Sequence, residues 1–531
     1  MAKNEFFIDR PEYQDILEKR ILHLKDGYRQ NVAFIGDELV GKTSLIFRFL
    51  KKFYDNRIIL LYLEARPESL SIFAKRFIGV LLYNFLLPSG LSLKEDLDFL
   101  IQRSSKYIPH TVLQIKSILS DLEKRKKNTI IMELFSLCET IYQETQKPCV
   151  IILDEFHNLE SLGVKNLYAD WSKLLVLQKH TLYIITSSLK FKTKEILSKN
   201  LSLLFGNFEI VNVEPFGIKA SEEYLSLRLA GLNTPSAIKN FIIYFTGGYP
   251  FYLGLISDFL LKSGQPDLIN ILEELLFESS GILNQRFSNY LKRFLDTTYS
   301  QEYISILYLI SSGHNKIKDI AHLTHKQQKE LTLRINHLLE VDAVIKRGDF
   351  LQINDRVFSF WLKFVSQGRL QSLTFDAKSQ KILFRNDIEK MLQEFLKNCQ
   401  KSITERTMEL LRLFENEIVQ IERKKLRLTH FKEIKPLELS CGRFKDGIIG
   451  RADDKLWLIA FKKDTVTEED VAAFAKECKK YRNKRQNKII VAFEDLEANA
   501  RLKALEEKIW TWDIAKLNQI FDLFSKPSVI A

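Results

Sequence analysis

The chain has 531 residues, 46% of them hydrophobic and 27% charged, and a formal net charge of +12. That length leads us to expect about three or four domains, and 38 Phe against 20 Gly and 11 Pro exclude a chain dominated by disordered linkers. No apolar run is expected to span a membrane, since "VLLYNFLLPSG" (80–90) is short and interrupted by Asn84 and Pro88.

The first residues lack the apolar core of a signal peptide. Cys138, Cys149, Cys399, Cys441 and Cys478 show no metal-binding spacing, so a cytoplasmic protein with reduced thiols is expected. In "NVAFIGDELVGKTSLIFRFLKKF" a short apolar strand (Val32–Ile35) leads into Gly36-x-x-x-x-Gly41-Lys42-Thr43-Ser44. Apolar Leu45, Ile46, Phe49 and Leu50 then recur at helical spacing. Strand, glycine loop and helix in this order are what a P-loop requires. The glycines let backbone N–H groups wrap phosphates, and the helix N-terminus adds its positive end. Lys42 is the candidate for the β- and γ-phosphates, the Thr43 hydroxyl for Mg²⁺, and Ser44 for the bound nucleotide.

"NRIILLYLEA" reads as a second strand ending near Glu64. "EKRKKN" (123–128) reads as a solvated surface run. In "KPCVIILDEFHNL" the unbroken apolar run 149–153 reads as a strand buried on both faces, with Asp154 and Glu155 at its carboxyl end. Asp154 is the candidate Mg²⁺ partner and Glu155 the candidate base for the attacking water. "HTLYIITSSLKF" gives a strand at 182–186 that ends in Ser187 and Ser188, where a polar residue, Ser187 first, is a candidate sensor of the γ-phosphate or the water, and "FEIVNVEPF" (208–216) gives a further strand. Strands alternating with helices around a P-loop imply an α/β fold with a parallel, doubly wound sheet and nucleotide at its carboxyl edge. The chain has no Asn-Lys-x-Asp guanine signature, so ATP with Mg²⁺ is the expected cofactor pair.

Further along, "QEYISILYLISS" (301–312), a short helix at 317–323 and "HKQQKELTLRINHLLEV", with Thr324 as its cap, read as three helices. "AVIKRGDFLQIND" adds two strands around Arg347-Gly348-Asp349, completing a winged helix-turn-helix. Its candidates for double-stranded DNA are Lys326 and Arg334, with Arg347 on the wing. In the last part, "KDGIIGRADDKLWLIAFKKD" (445–464) reads as a hairpin with Asp446 on one strand and Ala460 and Lys462 two apart on the other. A metal-dependent nuclease places an acid, then an acid-x-Lys, on such a pair; here the second acid is Ala460. "ERKKLR" (422–427) and "KECKKYRNKRQNK" (476–488) add basic candidates for phosphate contacts: Lys424, Lys425, Lys480, Arg482 and Arg485.

Several stretches together resemble the archaeal-type ATPases of the STAND class, a branch of the AAA+-like P-loop ATPases. "FFIDRPEYQDIL" is similar to that family's opening segment at Phe7, Arg10, Tyr13 and Leu17, and "GDELVGKTSL" and "ILDEFHNL" to its nucleotide motifs. "TGGYPFYL" (246–253) resembles its Gly-x-Pro lid motif, which implies a helical lid over the nucleotide with Pro250 at the site, and Arg10 is likewise implied there. "FLQINDRVFSFWLKF" (350–364) resembles the end of its winged helix. The family often carries Gly-Arg where this chain has Gly206-Asn207, which implies slow turnover or an arginine from a partner. The last part resembles the PD-(D/E)xK nuclease fold that the family often carries. That resemblance matches Glu415 to an acid on the first helix, Asp446 to the metal-binding acid and Lys462 to the lysine. With Ala460 in place of an acid, a nuclease site that has lost cleavage is implied.

The expected organisation is an ATPase core (1–215), a helical lid (216–297), a winged helix (298–368), a helical connector (369–412) and a nuclease-like α/β domain (413–531). The leading expectation is an ATP-driven molecular switch that acts on double-stranded DNA, a protein partner or a second copy of itself, with no membrane. The alternatives are an ATP-gated, metal-dependent DNA nuclease and an ATP-binding scaffold without turnover.

Overall fold

A computed structural model describes residues 7–89, 93–124, 128–201, 208–295, 298–371, 376–421, 424–439, 442–444, 446–481 and 485–530. The chain divides into two compact units, one of Phe7–Pro215 and one built on Phe216–Ala531.

The first unit is built on five parallel strands, β1 (Val32–Ile35), β2 (Ile59–Glu64), β3 (Cys149–Asp154), β4 (Thr181–Ser187) and β5 (Glu209–Asn212). They lie in the order β2-β3-β4-β1-β5. Residues of β1, β3 and β4 are buried throughout, because helices cover both faces of an all-parallel sheet. β2, at the edge, alternates instead between buried and half-buried positions. On one face Trp171 is fully buried among the rings of Phe135, Phe156, Tyr183 and Phe208. The helix Leu70–Leu86 packs in the same core through Phe73, Phe77, Leu81 and Leu82. This corrects the expectation about membrane spans: with the turn that follows it, 70–89 is long and apolar enough to cross one, at a mean hydropathy of 1.6. Eight of its residues are instead buried in the protein. Each such Leu, Ile or Phe contributes about 1.5–3 kcal/mol to holding the sheet.

The second unit begins with helices Ile218–Arg228, Ser236–Thr246, Pro250–Ser263, Leu268–Leu272 and Ile282–Leu295. Gly247 and Gly248, between two of them, both have positive φ, and a Cβ on Gly248 would collide with the Phe216 carbonyl. The glycine pair of "TGGYP" is therefore required by this turn. Helices Ser300–Ser311, Ile317–Thr324 and Gln328–Glu340 follow, then the antiparallel ribbon β6 (Val344–Arg347) and β7 (Phe350–Ile353). Thr324 ends its helix rather than capping the next, its hydroxyl bonding back to the Ile320 carbonyl while His325 takes a left-handed φ of 52°. The helix Ala377–Cys399 stacks Phe395 on Tyr244 and so packs against the first helices of this unit.

The final part opens with the helix Ile403–Leu411 and a two-stranded ribbon, β8 (Ile418–Ile421) and β9 (Lys424–Arg427). Its sheet runs β10 (Glu433–Pro436), β11 (Asp446–Arg451), β12 (Lys455–Lys462), β13 (Arg485–Ala492) and β14 (Ile509–Asp513), antiparallel as far as β12 and parallel beyond. One face carries helices Glu468–Cys478 and Ala498–Glu506, and the other carries Ile403–Leu411 and Ile514–Leu523.

Phe350 of β7 belongs to the second of these cores, together with Trp457, Ile459 and Phe521. Gly348, at a φ of 72°, lies so close to the Ile418 carbonyl of β8 that no Cβ fits between them. The Asp349 N–H donates to that same carbonyl at 2.8 Å, and the Asp349 carboxylate accepts from the Ile418 N–H at 2.7 Å. The β6–β7 ribbon is thereby fastened to the last part of the chain.

Candidate nucleotide site

The P-loop leaves β1, an interior strand between β4 and β5, with β3 on the far side of β4. Gly36 has no room for a Cβ, which would strike the Val213 carbonyl, and Gly41 has a φ of 90°. Both glycines are thus demanded by the backbone path. The helix Lys42–Lys52 starts with no side chain capping it, which leaves its first N–H groups directed at the loop. The Lys42 ammonium donates to the Gly36 and Asp37 carbonyls, both at 2.9 Å, and lies 3.7 Å from a Glu155 oxygen. Burial pulls its pKa below the usual lysine value, against the pull of Glu155, Asp154 and Asp37. Asp37 is held in turn by Lys190 at 2.6 Å, which ties the loop to the residues after β4. Ser44, the third residue of the helix, is exposed.

The Asp154 carboxylate is gripped by three hydroxyls. Thr43 donates to Oδ2 at 2.7 Å, Tyr62 to the same oxygen at 2.8 Å, and Thr186 to Oδ1. Thr43 and Asp154 are hard oxygen donors brought together beside a lysine, and this donor set fits Mg²⁺. Among the described residues no group of three His, Cys, Asp or Glu forms a separate metal cluster.

Glu155 has a left-handed φ of 51°, and its Oε2 accepts from both the N–H and the hydroxyl of Ser188 at 2.8 Å. Ser187 is hydrogen-bonded to His157 Nδ1 at 2.8 Å, and the same nitrogen stands 3.4 Å from Glu155. Burial lowers the His157 pKa below the ordinary value despite Glu155, so near neutrality the contact between them is dipolar rather than ionic. The expected residues Lys42, Thr43, Asp154, Glu155 and Ser187 therefore meet at one end of the sheet. Ser188, named with Ser187 at the end of the strand, joins them through Glu155, and Tyr62, Thr186, His157 and Lys190 do so without having been foreseen. Arg10 is buried just before the helix Pro11–Lys25, its guanidinium 5.8 Å from the Tyr13 ring centroid, and burial lowers its pKa. Pro250 lies in the other unit, as the first residue of its helix. Gly206 and Asn207 fall outside the described residues, as does Arg482.

The nuclease constellation is not brought together. Residues opposed in an antiparallel ladder share a face, and Asp446 opposes Phe461 while Ala460 opposes Gly447. Asp446 thus lies on the face opposite to Ala460 and Lys462. Lys462 instead donates to the Arg443 carbonyl at 3.2 Å and to the buried Asp470 carboxylate at 3.3 Å. Glu415 is not on a helix: it stands between Leu411 and β8, 3.5 Å from the Lys316 ammonium, which Glu417 holds at 2.6 Å. A strand-type alternation in "IVQIERKKLR" was masked by its charge, and the ribbon β8–β9 takes the place of the expected helix.

The DNA candidates are mostly engaged within the chain. Lys326 and Arg334 share Glu302 at 2.8 and 2.9 Å, and Arg334 also lies over the Tyr299 ring. Arg347, the last residue of β6, donates to Gln519 at 3.3 Å, so it too is turned to the last part of the chain. Lys480 pairs with Glu477 at 2.6 Å. Lys424, Lys425 and Arg485 are exposed, with Lys424 above the Trp510 ring.

No family model and no curated protein matches the chain. Among solved structures, the Walker-type ATPase PABY2304 of Pyrococcus abyssi is similar at 20% identity and a TM-score of 0.52, over 68% of this chain and 97% of that one. The ORC2 protein of Aeropyrum pernix in its ADPNP–ADP complexes is similar at 11% identity and a TM-score of 0.41, over 74% of this chain and 97% of that one. The Aeropyrum pernix ORC1 protein in complex with DNA is similar at 14% identity and a TM-score of 0.36, over 67% and 93%. The chain has the α/β fold of a Walker-type P-loop ATPase.

Proposed function

We propose that the protein binds and hydrolyses ATP as an AAA+-type molecular switch of the archaeal STAND kind. The observation that carries this reading is the Thr43 hydroxyl, 2.7 Å from the Asp154 carboxylate, beside a buried Lys42 at the start of a helix whose first N–H groups are uncapped. The loop N–H groups between Gly36 and Gly41 receive phosphate oxygens. Lys42 leaves the Gly36 and Asp37 carbonyls to neutralise them. Thr43 and Asp154 would hold Mg²⁺, which would supply charge neutralisation at the phosphates. Glu155 serves as general base once it gives up Ser188, and Ser187, paired with His157, reports the state of the γ-phosphate. The segment 246–250 carries the lid motif of the proposed switch, whose outputs are double-stranded DNA, a protein partner or a second copy.

We do not propose the nuclease alternative, because Asp446 and Lys462 occupy opposite faces of their sheet. The test is equilibrium binding and hydrolysis of ATP with Mg²⁺, by wild type and Lys42→Ala, with and without double-stranded DNA. Expected are Lys42-dependent binding and a turnover that DNA raises. Equal binding by Lys42→Ala overturns the site. Binding without turnover leaves a scaffold. A basal turnover that DNA does not change makes a protein the partner.

A further inference from the structure

Two members of the grip on Asp154, Tyr62 and Thr186, lie outside the P-loop motif, and Tyr62 comes from a strand the motif does not include. Tyr62 lies on β2, where it pairs in register with Ile152 of β3. Ile152 and Asp154 share a face because strand side chains alternate, so a long side chain at 62 that leans along its strand arrives at 154. The phenol does so, donating to Oδ2 at 2.8 Å. Phe47, from the helix that follows the P-loop, closes on its ring with centroids 4.7 Å apart, which fixes the direction of the hydroxyl. The ring is thus held by the very helix that carries Lys42 and Thr43.

A carboxylate holds its orientation only while something bonds its oxygens. Thr43 is the member of the grip that a bound Mg²⁺ calls away, since its hydroxyl is the metal-side donor. Tyr62 on Oδ2 and Thr186 on Oδ1 are the members that remain. We propose that Tyr62 is a positioning residue for the metal: its hydroxyl keeps the Asp154 carboxylate aimed when Thr43 turns away, and so sets the affinity for Mg²⁺ in the nucleotide complex. This rests on the nucleotide reading above. Partners of metal-binding carboxylates typically govern affinity by ten-fold or more when removed.

The experiment is titration of the full chain with a fluorescent ATP analogue, in EDTA and across a Mg²⁺ series, for wild type and Tyr62→Phe. The phenylalanine keeps the ring against Phe47 and removes only the hydroxyl, and thermal melting checks that the variant folds. Expected is a rise of about ten-fold in the Mg²⁺ concentration at half-saturation, with affinity in EDTA changed less than about two-fold. A Mg²⁺ half-saturation within about two-fold of wild type overturns the proposal. Equal losses in EDTA and in Mg²⁺ also overturn it, since they assign Tyr62 to packing. If wild type itself binds no analogue, the nucleotide reading falls, and this inference falls with it.

Discussion

Glu155 sits in a left-handed conformation that costs a non-glycine residue about 1–3 kcal/mol, and it spends its carboxylate on Ser188. A residue held so firmly away from a simple extended or helical path is poised to change partner. Glu155→Gln keeps the shape and the hydrogen bonds to Ser188 but cannot accept a proton. Turnover is expected to fall by about 10²-fold or more, with ATP affinity changed less than about two-fold, as measured by single-turnover hydrolysis beside equilibrium binding. Lys42 and Thr43 were legible in the sequence because their spacing within a strand–loop–helix is itself the chemistry, and Asp154 and Glu155 because two acids close an unbroken apolar strand. Tyr62 was not, because its role depends on which strand lies next to β3 and in what register. A tyrosine in an apolar strand carries no mark of that.

At the scale of the element, the helix Glu468–Cys478 depends on its cap. Thr467 and Asp470 form a reciprocal capping box, and Lys462 and Arg443 reach the same buried carboxylate. Burial opposes ionisation of Asp470, but the Thr467 N–H and the Lys462 charge outweigh it and hold the carboxyl below the usual aspartate value. A carboxyl whose folded pKa is lowered contributes stability above its unfolded value, about 3.9, and loses it as the pH falls through the lower folded value. Asp470→Asn is therefore expected to melt below wild type at pH 7 and to converge with it below about pH 4, as followed by thermal denaturation across that range. The lysine that sequence reading assigned to nucleic-acid chemistry is, in the fold, part of a helix cap. Element type failed at β8 for a related reason. Its alternation is carried by Val419 and Ile421 alone, and the charges that follow obscure the period that would separate strand from helix.

At the scale of the whole molecule, the ATPase fold of Phe7–Pro215 was readable from buried strands and turn residues, whereas the fastening of the β6–β7 ribbon to β8 was not. Gly348 looks like an ordinary hairpin glycine, and only the approach of the Ile418 carbonyl gives it a second purpose. With Arg347, Lys326 and Arg334 engaged, any duplex grip falls to exposed cations such as Lys424 and Lys425. The pair Lys424→Ala with Lys425→Ala is expected to weaken double-stranded DNA binding regardless of sequence. It should also reduce the slope of log affinity against log salt by about 2, as measured by anisotropy over a salt series. An unchanged slope moves the DNA contact elsewhere or removes it.

Trp171 is the only tryptophan between residues 7 and 215, while Trp361, Trp457, Trp510 and Trp512 all belong to the other unit. Its burial among four aromatic rings makes it an emitter shielded from water. The protein thus carries its own optical label for the ATPase unit. The difference spectrum between wild type and Trp171→Phe isolates the light from that unit, so its unfolding can be followed separately within the intact chain.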